Sequence, residues 1–225
     1  MSSAALRQEL ESALGAPLAL ALRPAPDLLQ TGIPELDRRA GGLPRGSLCE
    51  ICGPVSSGRT SLMLAVAAQA TGRGEFCALI DAADALDPAS AAAAGIALDR
   101  LLWVRCGGDA EKALKAADLV VQGGGFGLVA MDLGDTPPAT AHRISMTSWF
   151  RLRRAVEHTP AVLLVVEREP HAKTCAAVVL ELRRERALWS GEPGCSQLLG
   201  GLRIAVERPK PAHAARASFE ARALG

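Results

Sequence analysis

Residues 53–60 read GPVSSGRT. Glycines five places apart, then a cation and a hydroxyl, follow the pattern G-x-x-x-x-G-K-[ST], except that Arg59 stands where lysine is required. The chemistry of that pattern is phosphate binding. Gly53, Pro54, Ser56, Ser57 and Gly58 turn the chain so that backbone N–H groups converge on an anion. A helix opening at Arg59, Thr60 and Ser61 adds its dipole. Thr60 would ligate Mg²⁺. Asp132, at the tip of LVAMD, supplies the usual second carboxylate on the metal side. A Gly/Ser-rich turn with no phosphate history is the bland alternative. The order of strand, loop, helix and acid-tipped strand opposes it.

These residues need a rigid frame, and the pattern of the chain provides one. Apolar runs that suit buried strands alternate with helical stretches. Residues 47–52 predict a strand, 60–70 a helix, 76–81 a strand, 88–94 a helix and 101–105 a short strand. A helix follows over 110–121, a strand over 128–132, a helix over 148–158 and a strand over 161–166. Residues 176–182, 187–190, 202–206 and 218–223 predict a meander of further strands, and the turn-rich stretch 134–140 a mobile loop. Such alternation predicts an α/β fold with a mostly parallel sheet flanked by helices. Before it, residues 3–14 suit an amphipathic helix and 17–22 a strand, with Pro24 and Pro26 as a linker. The expected division is an arm over 1–30 and a core domain over 31–225.

Composition narrows the function classes. The chain has 225 residues, 49% of them apolar, with no tyrosine and a net charge of +1. No apolar run is long enough to span a bilayer, and no export signal is visible, so a cytoplasmic protein is expected. Cys49 and Cys52 form C-x-x-C on a strand, where residues three apart face opposite ways, so buried thiols are expected rather than a redox pair or zinc site. His142, His158, His171 and His213 show no metal-ligand spacing, and no Ser-His-Asp pattern appears. Charge is uneven. Residues 1–139 hold 11 basic against 16 acidic groups, and residues 140–225 hold 14 against 8. An anionic partner is therefore sought in the second part.

The landmarks TGIPELD, GGLPRGSLCEICGPVSSGRTSL and CALIDAADALDPASAAAAGIALDRLLWV, between Thr31 and Cys106, resemble the bacterial RecA recombinase. The likeness continues more faintly through Asp132 and AVLLVVERE to the last strand, and leaves out the recombinase's C-terminal domain. It implies a RecA-like P-loop NTPase core with the N-terminal helix and strand as an oligomerisation or partner arm. It also implies an ATP and Mg²⁺ site, which the departures weaken. Arg59 replaces the phosphate-binding lysine. The catalytic glutamate falls at Ala83, which can neither take a proton nor orient water. Asp84 is the nearest substitute but points the other way on an extended segment. The aromatic that stacks on adenine falls at Ser90, leaving Asp87 alone of that pair. Glu167 and Arg168 replace the Asn-Gln pair that senses the γ-phosphate. A degraded ATPase is the plain reading.

In the recombinase, two loops hold single-stranded DNA. Here the first is the short GDTPPATAHRIS and the second is reduced to EPHAKTCA. What remains is basic. Arg151, Arg153 and Arg154, with Arg168 and Lys173, are either solvated faces or a patch binding DNA weakly and without sequence preference. Trp149 and Phe150 suit the core better than base stacking. Glu207, Arg208 and Lys210 fall where the recombinase has two lysines that reach a neighbour's ATP, or form a charged turn. The arm's Leu6, Leu10 and Leu14, then Leu18, Leu20 and Leu22, need cover, on the chain's own core, on a second copy, or on the recombinase. This pattern of losses most resembles the ImuA type of RecA-related accessory protein. That likeness implies a DNA-damage-induced role in translesion synthesis, with the recombinase, an inactive Y-family polymerase-like protein and a translesion polymerase as partners. The alternative is a divergent DNA-stimulated ATPase that remodels DNA–protein filaments.

Overall fold

The computed structural model describes residues 27–191, 196–210 and 215–222. The arm leucines (6, 10, 14, 18, 20 and 22) lie outside the described residues. Strands β1 (Leu28–Leu29) and β2 (Leu43–Pro44) pair antiparallel around helix α1 (Pro34–Ala40). Leu29 is fully buried, so the core reaches back past Thr31. The main body runs β3 (Ser47–Cys52), α2 (Arg59–Gly72), β4 (Cys77–Asp81), α3 (Pro88–Ala93), β5 (Leu101–Arg105), α4 (Ala110–Gly123) and β6 (Leu128–Asp132). It continues with α5 (Pro138–Ala141), α6 (Met146–Val156), β7 (Val162–Glu167), β8 (Val178–Ser190), β9 (Leu198–Lys210) and β10 (Ala215–Arg222).

Eight strands make one sheet in the order β10-β9-β8-β3-β7-β6-β4-β5. Pairing is parallel from β8 to β5 and antiparallel at β8–β9 and β9–β10. The central strands are apolar almost throughout because both faces are covered, as crossover helices require. In β7, VLLVVE is buried at every position. Alternate side chains feed two cores. Cys49, Ile51 and Leu164 join Leu62 and Val66 of α2 on one face. Leu48, Cys52 and Leu163 join Ala117 of α4 and Trp149 and Leu152 of α6 on the other. The C-x-x-C thiols thus sit in different cores, as strand geometry demands.

Three expectations need correction. Stretches 176–182 and 187–190 are one strand, β8. Its middle, Arg183-Arg184-Glu185-Arg186, is exposed because the β8–β9 hairpin leaves the core there, where no apolar alternation is needed. Residues 134–140 are not a bare loop but a turn leading into α5, with Thr136 and Ala141 buried. Helix α6 starts at Met146 because the Ser145 side chain accepts from Ser148 N–H at 3.2 Å and caps it.

Candidate phosphate site and its surroundings

The phosphate-binding loop links the C-terminal end of β3 to the start of α2. Gly53 N–H donates to Arg168 O at 3.1 Å, which ties the loop to the end of β7, and Ser57 N–H donates to Pro54 O at 3.2 Å, a turn within the loop. Leu62 N–H makes an intrahelical bond to Gly58 O at 3.0 Å. The N–H groups of Arg59, Thr60 and Ser61 precede it in the first turn, where a helix has no internal acceptor to offer. Gly58 has φ +91°, and a Cβ there would fall on Ile204 of β9. Glycine is therefore fixed at Gly58 by backbone and by space. Pro54, Ser56, Thr60 and Ser61 are exposed, whereas the buried Ser57 Oγ has no hydrogen-bond partner among the described residues. The backbone fits a phosphate.

The cation position does not fit Mg²⁺ as well. Arg59 does not lie over the loop but turns inward, 8% exposed, with Nη2 donating to Gly134 O at 3.5 Å. Asp132 Oδ1 accepts from Gly134 N–H at 2.8 Å. A methyl added at Gly134 would lie 2.9 Å from Asp132 Oδ1 and 3.2 Å from Arg59 Nη1, so both side chains converge on this glycine. Burial pushes the Asp132 carboxyl up to about 6, the Gly134 N–H opposes the rise, and the Arg59 charge adds to that opposition. Burial likewise lowers the Arg59 pKa, with Asp132 and Asp135 opposing. The Arg59 charge thus stands near the carboxylate that a metal would need, and a metal cation there would meet its repulsion.

The positions beside the site are committed elsewhere. Ala83 is exposed and inert. Asp84 has φ +58° and accepts from Cys106 N–H at 3.0 Å and Gly107 N–H at 3.1 Å, with Arg105 paired at 3.1 Å. The Gly107 N–H, ahead of Arg105, holds its carboxyl low. It braces a neighbouring loop and cannot serve as base. Asp87 caps α3, accepting from Ala89 N–H at 3.3 Å, Ser90 N–H at 2.9 Å and Ser90 Oγ–H at 2.6 Å. Asp87 and Ser90 therefore bond to each other.

Glu167, at the end of β7, is 1% exposed and its Oε2 lies 2.6 Å from His171 Nδ1. Arg168 Nε donates to Gly134 O at 3.1 Å, the same carbonyl that Arg59 approaches. Glu50, fully buried on β3, accepts from His171 N–H at 2.9 Å and Ala172 N–H at 2.7 Å. Burial, ahead of the nearby Glu167, pushes the Glu50 carboxyl up to about 7. The sequence names Glu167, Arg168 and His171 singly but not Glu50 or the contacts that join them. The one signal of the group was a glutamate inside the apolar run SLCEIC and another closing VLLVVE. A cleft of about 440 Å³ borders the loop, and its charged lining is Arg168, Arg183, Glu169, Glu181, Glu185 and Glu207. Carboxylates outnumber cations there, which disfavours a polyphosphate.

The basic residues do not form one surface. Helix α6 joins parallel strands and so runs against them. Its last turn lies at the N-terminal edge of the sheet, where Arg153 shares a cleft with Arg45 and Gly46. Arg168 and Lys173 follow the opposite end of β7. Arg151 pairs with Asp118 at 3.5 Å and Arg153 with Glu157 at 3.1 Å, while Arg154 is exposed. Lys173 is exposed with φ +48°, and its carbonyl accepts from Lys210 Nζ at 3.0 Å. Lys210 therefore reaches its own chain's loop. Trp149 is fully buried but Phe150 is 46% exposed, so only one of the pair is core.

A model of the RecA N-terminal domain matches residues 25–139. Protein RecA of Rickettsia massiliae (strain Mtu5) is 32% identical over 183 residues, covering 73% of this chain and 53% of that protein. Protein RecA of Methylococcus capsulatus is 46% identical over 108 residues, 47% of this chain and 31% of that protein. The chain spans about half the length of the curated relatives it matches. Among the described residues no helix is long and apolar enough to cross a membrane. With the domain match covering the phosphate loop and the acid-tipped strand, the chain belongs to the RecA family.

Proposed function

We propose that this chain is a RecA-like accessory protein of the DNA-damage response, of the ImuA type. It acts in the cytoplasm, at the nucleoid, as a scaffold contacting the recombinase and a translesion polymerase assembly that includes an inactive Y-family polymerase-like protein. ATP hydrolysis is weak or absent. The observation that carries this reading is Arg59, buried and turned to the Gly134 carbonyl beside Asp132, where a catalytic site needs a metal. Ala83 removes the base in addition, and loss of a general base costs about 10²–10⁴-fold in rate. The scaffold role rests on the N-terminal leucines, at helix and then strand spacing. Leu10→Asp with Leu20→Asp should abolish co-elution of the full chain with purified recombinase while circular dichroism stays unchanged. Undiminished co-elution of the doubly changed protein would remove the arm from the account.

A second reading, a slow DNA-stimulated ATPase that remodels filaments, draws on the open first turn of α2 and the exposed Thr60. Turnover distinguishes the two.

A further inference from the structure

The sequence offered no spacing that joins its histidines, yet the fold brings two of them together. His142 follows α5, in the loop after β6, and His171 lies in the loop after β7. Their ring centroids are 4.8 Å apart, nearly perpendicular at 78°. Glu169 stands beside them, and one donor atom from each of the three residues lies within 4.8 Å of the others. Each imidazole is already oriented through one nitrogen. His142 Nδ1 lies 2.7 Å from the Pro138 carbonyl, and His171 Nδ1 lies 2.6 Å from the Glu167 carboxylate. A carbonyl or carboxylate holding one ring nitrogen is the arrangement that aims the other at a metal and raises its basicity. His171 Nε2 is buried and has no hydrogen-bond partner among the described residues, and the same holds for Glu167 Oε1 behind it. A buried polar atom left unbonded is costly, and a coordinated ion removes that cost.

We propose that His142, Glu169 and His171 form a site for a borderline divalent cation, Zn²⁺ by its ligand chemistry, that ties the loop after β6 to the loop after β7. Two imidazoles and one carboxylate suit Zn²⁺ and its neighbours, whereas Mg²⁺ and Ca²⁺ want oxygen throughout. Ligands around Zn²⁺ stand about 3.4 Å apart, given bond lengths of about 2.1 Å. His142 and Glu169 are exposed and free to close that gap by side-chain rotation, while His171 is held by Glu167. The fourth position is open to water. The ion would stiffen two loops that cross the C-terminal edge of the sheet next to the phosphate loop. It is a site separate from Thr60 and Asp132, and it does not depend on nucleotide binding.

The test uses the untagged full chain, stripped with chelator and titrated with Zn²⁺ against a chromophoric chelator. We expect a site that binds Zn²⁺ and raises the melting temperature. His142→Ala, at an exposed residue, should weaken that binding by about 10-fold or more and abolish the thermal shift. Glu169→Gln should weaken it as well, and excess Mg²⁺ should leave it intact. Failure of the unsubstituted chain to compete for Zn²⁺ at all would overturn the proposal. So would affinity and thermal shift that His142→Ala and Glu169→Gln both leave unchanged.

Discussion

Arginine in place of lysine keeps the charge but changes where it can go. The planar guanidinium has a longer reach and several donors, and here it leaves the loop for Gly134 O beside Asp132. Arg59→Lys with Ala83→Glu should therefore return a compact cation to the loop and raise affinity for a fluorescent ADP analogue by about 10-fold, roughly 1.4 kcal/mol. Unchanged or weaker binding in the titration would show that the loop backbone itself is unfit. The thiols give a second expectation at this scale. Burial pushes Cys77 up to about 12 and Cys52 higher still, and the reactive species is the thiolate. At pH 8 both should resist alkylation in the folded protein and react on denaturation, read by peptide mass spectrometry. Rapid labelling of either in the native state would mean that its core opens. The motif residues were legible because a spacing rule names them. The contacts joining Glu50, Glu167 and His171 were not, because they span 121 residues of chain between Glu50 and His171.

Parallel strands were readable wherever burial on both faces makes a continuous apolar run, and β5 and β6 match expectation residue for residue. The outer hairpin was not, since β8 is held by pairing with β9 along a polar middle rather than by an apolar pattern. Helix α6 shows what periodicity resolves and what it leaves open. Trp149 is wholly buried against the second core and Phe150 points out. Trp149→Ala should cost about 3–5 kcal/mol in urea unfolding, and Phe150→Ala within about 0.5 kcal/mol. Equal costs would contradict the burial. The arginines of the same helix are half-committed to Asp118 and Glu157, so DNA binding through them should be modest and steeply salt-dependent. Changing Arg151, Arg153 and Arg154 to Glu should abolish binding of a labelled single strand in fluorescence anisotropy, with the fold intact. Binding that survives both this change and high salt lies on another surface, such as the loop edge bearing Arg168 and Lys173.

At the scale of the molecule, the sheet keeps the family's loop and acid-tipped strand while the groups around them serve the fold. Asp84 braces a loop, Asp87 caps a helix, Arg59 turns to the Gly134 carbonyl, and Glu167 holds His171. Sequence comparison makes these replacements visible; the new partners are visible only in the fold, because they join loops that follow different strands. We propose that this RecA-type core retains the shape of a nucleotide site without its chemistry. Steady-state ATP hydrolysis by the full chain, with Mg²⁺ and single-stranded DNA, tests that claim most directly, with Thr60→Ala as the control. We expect turnover indistinguishable from the Thr60→Ala protein, with and without DNA. DNA-stimulated turnover that Thr60→Ala abolishes would contradict the claim and establish the filament-remodelling ATPase in its place.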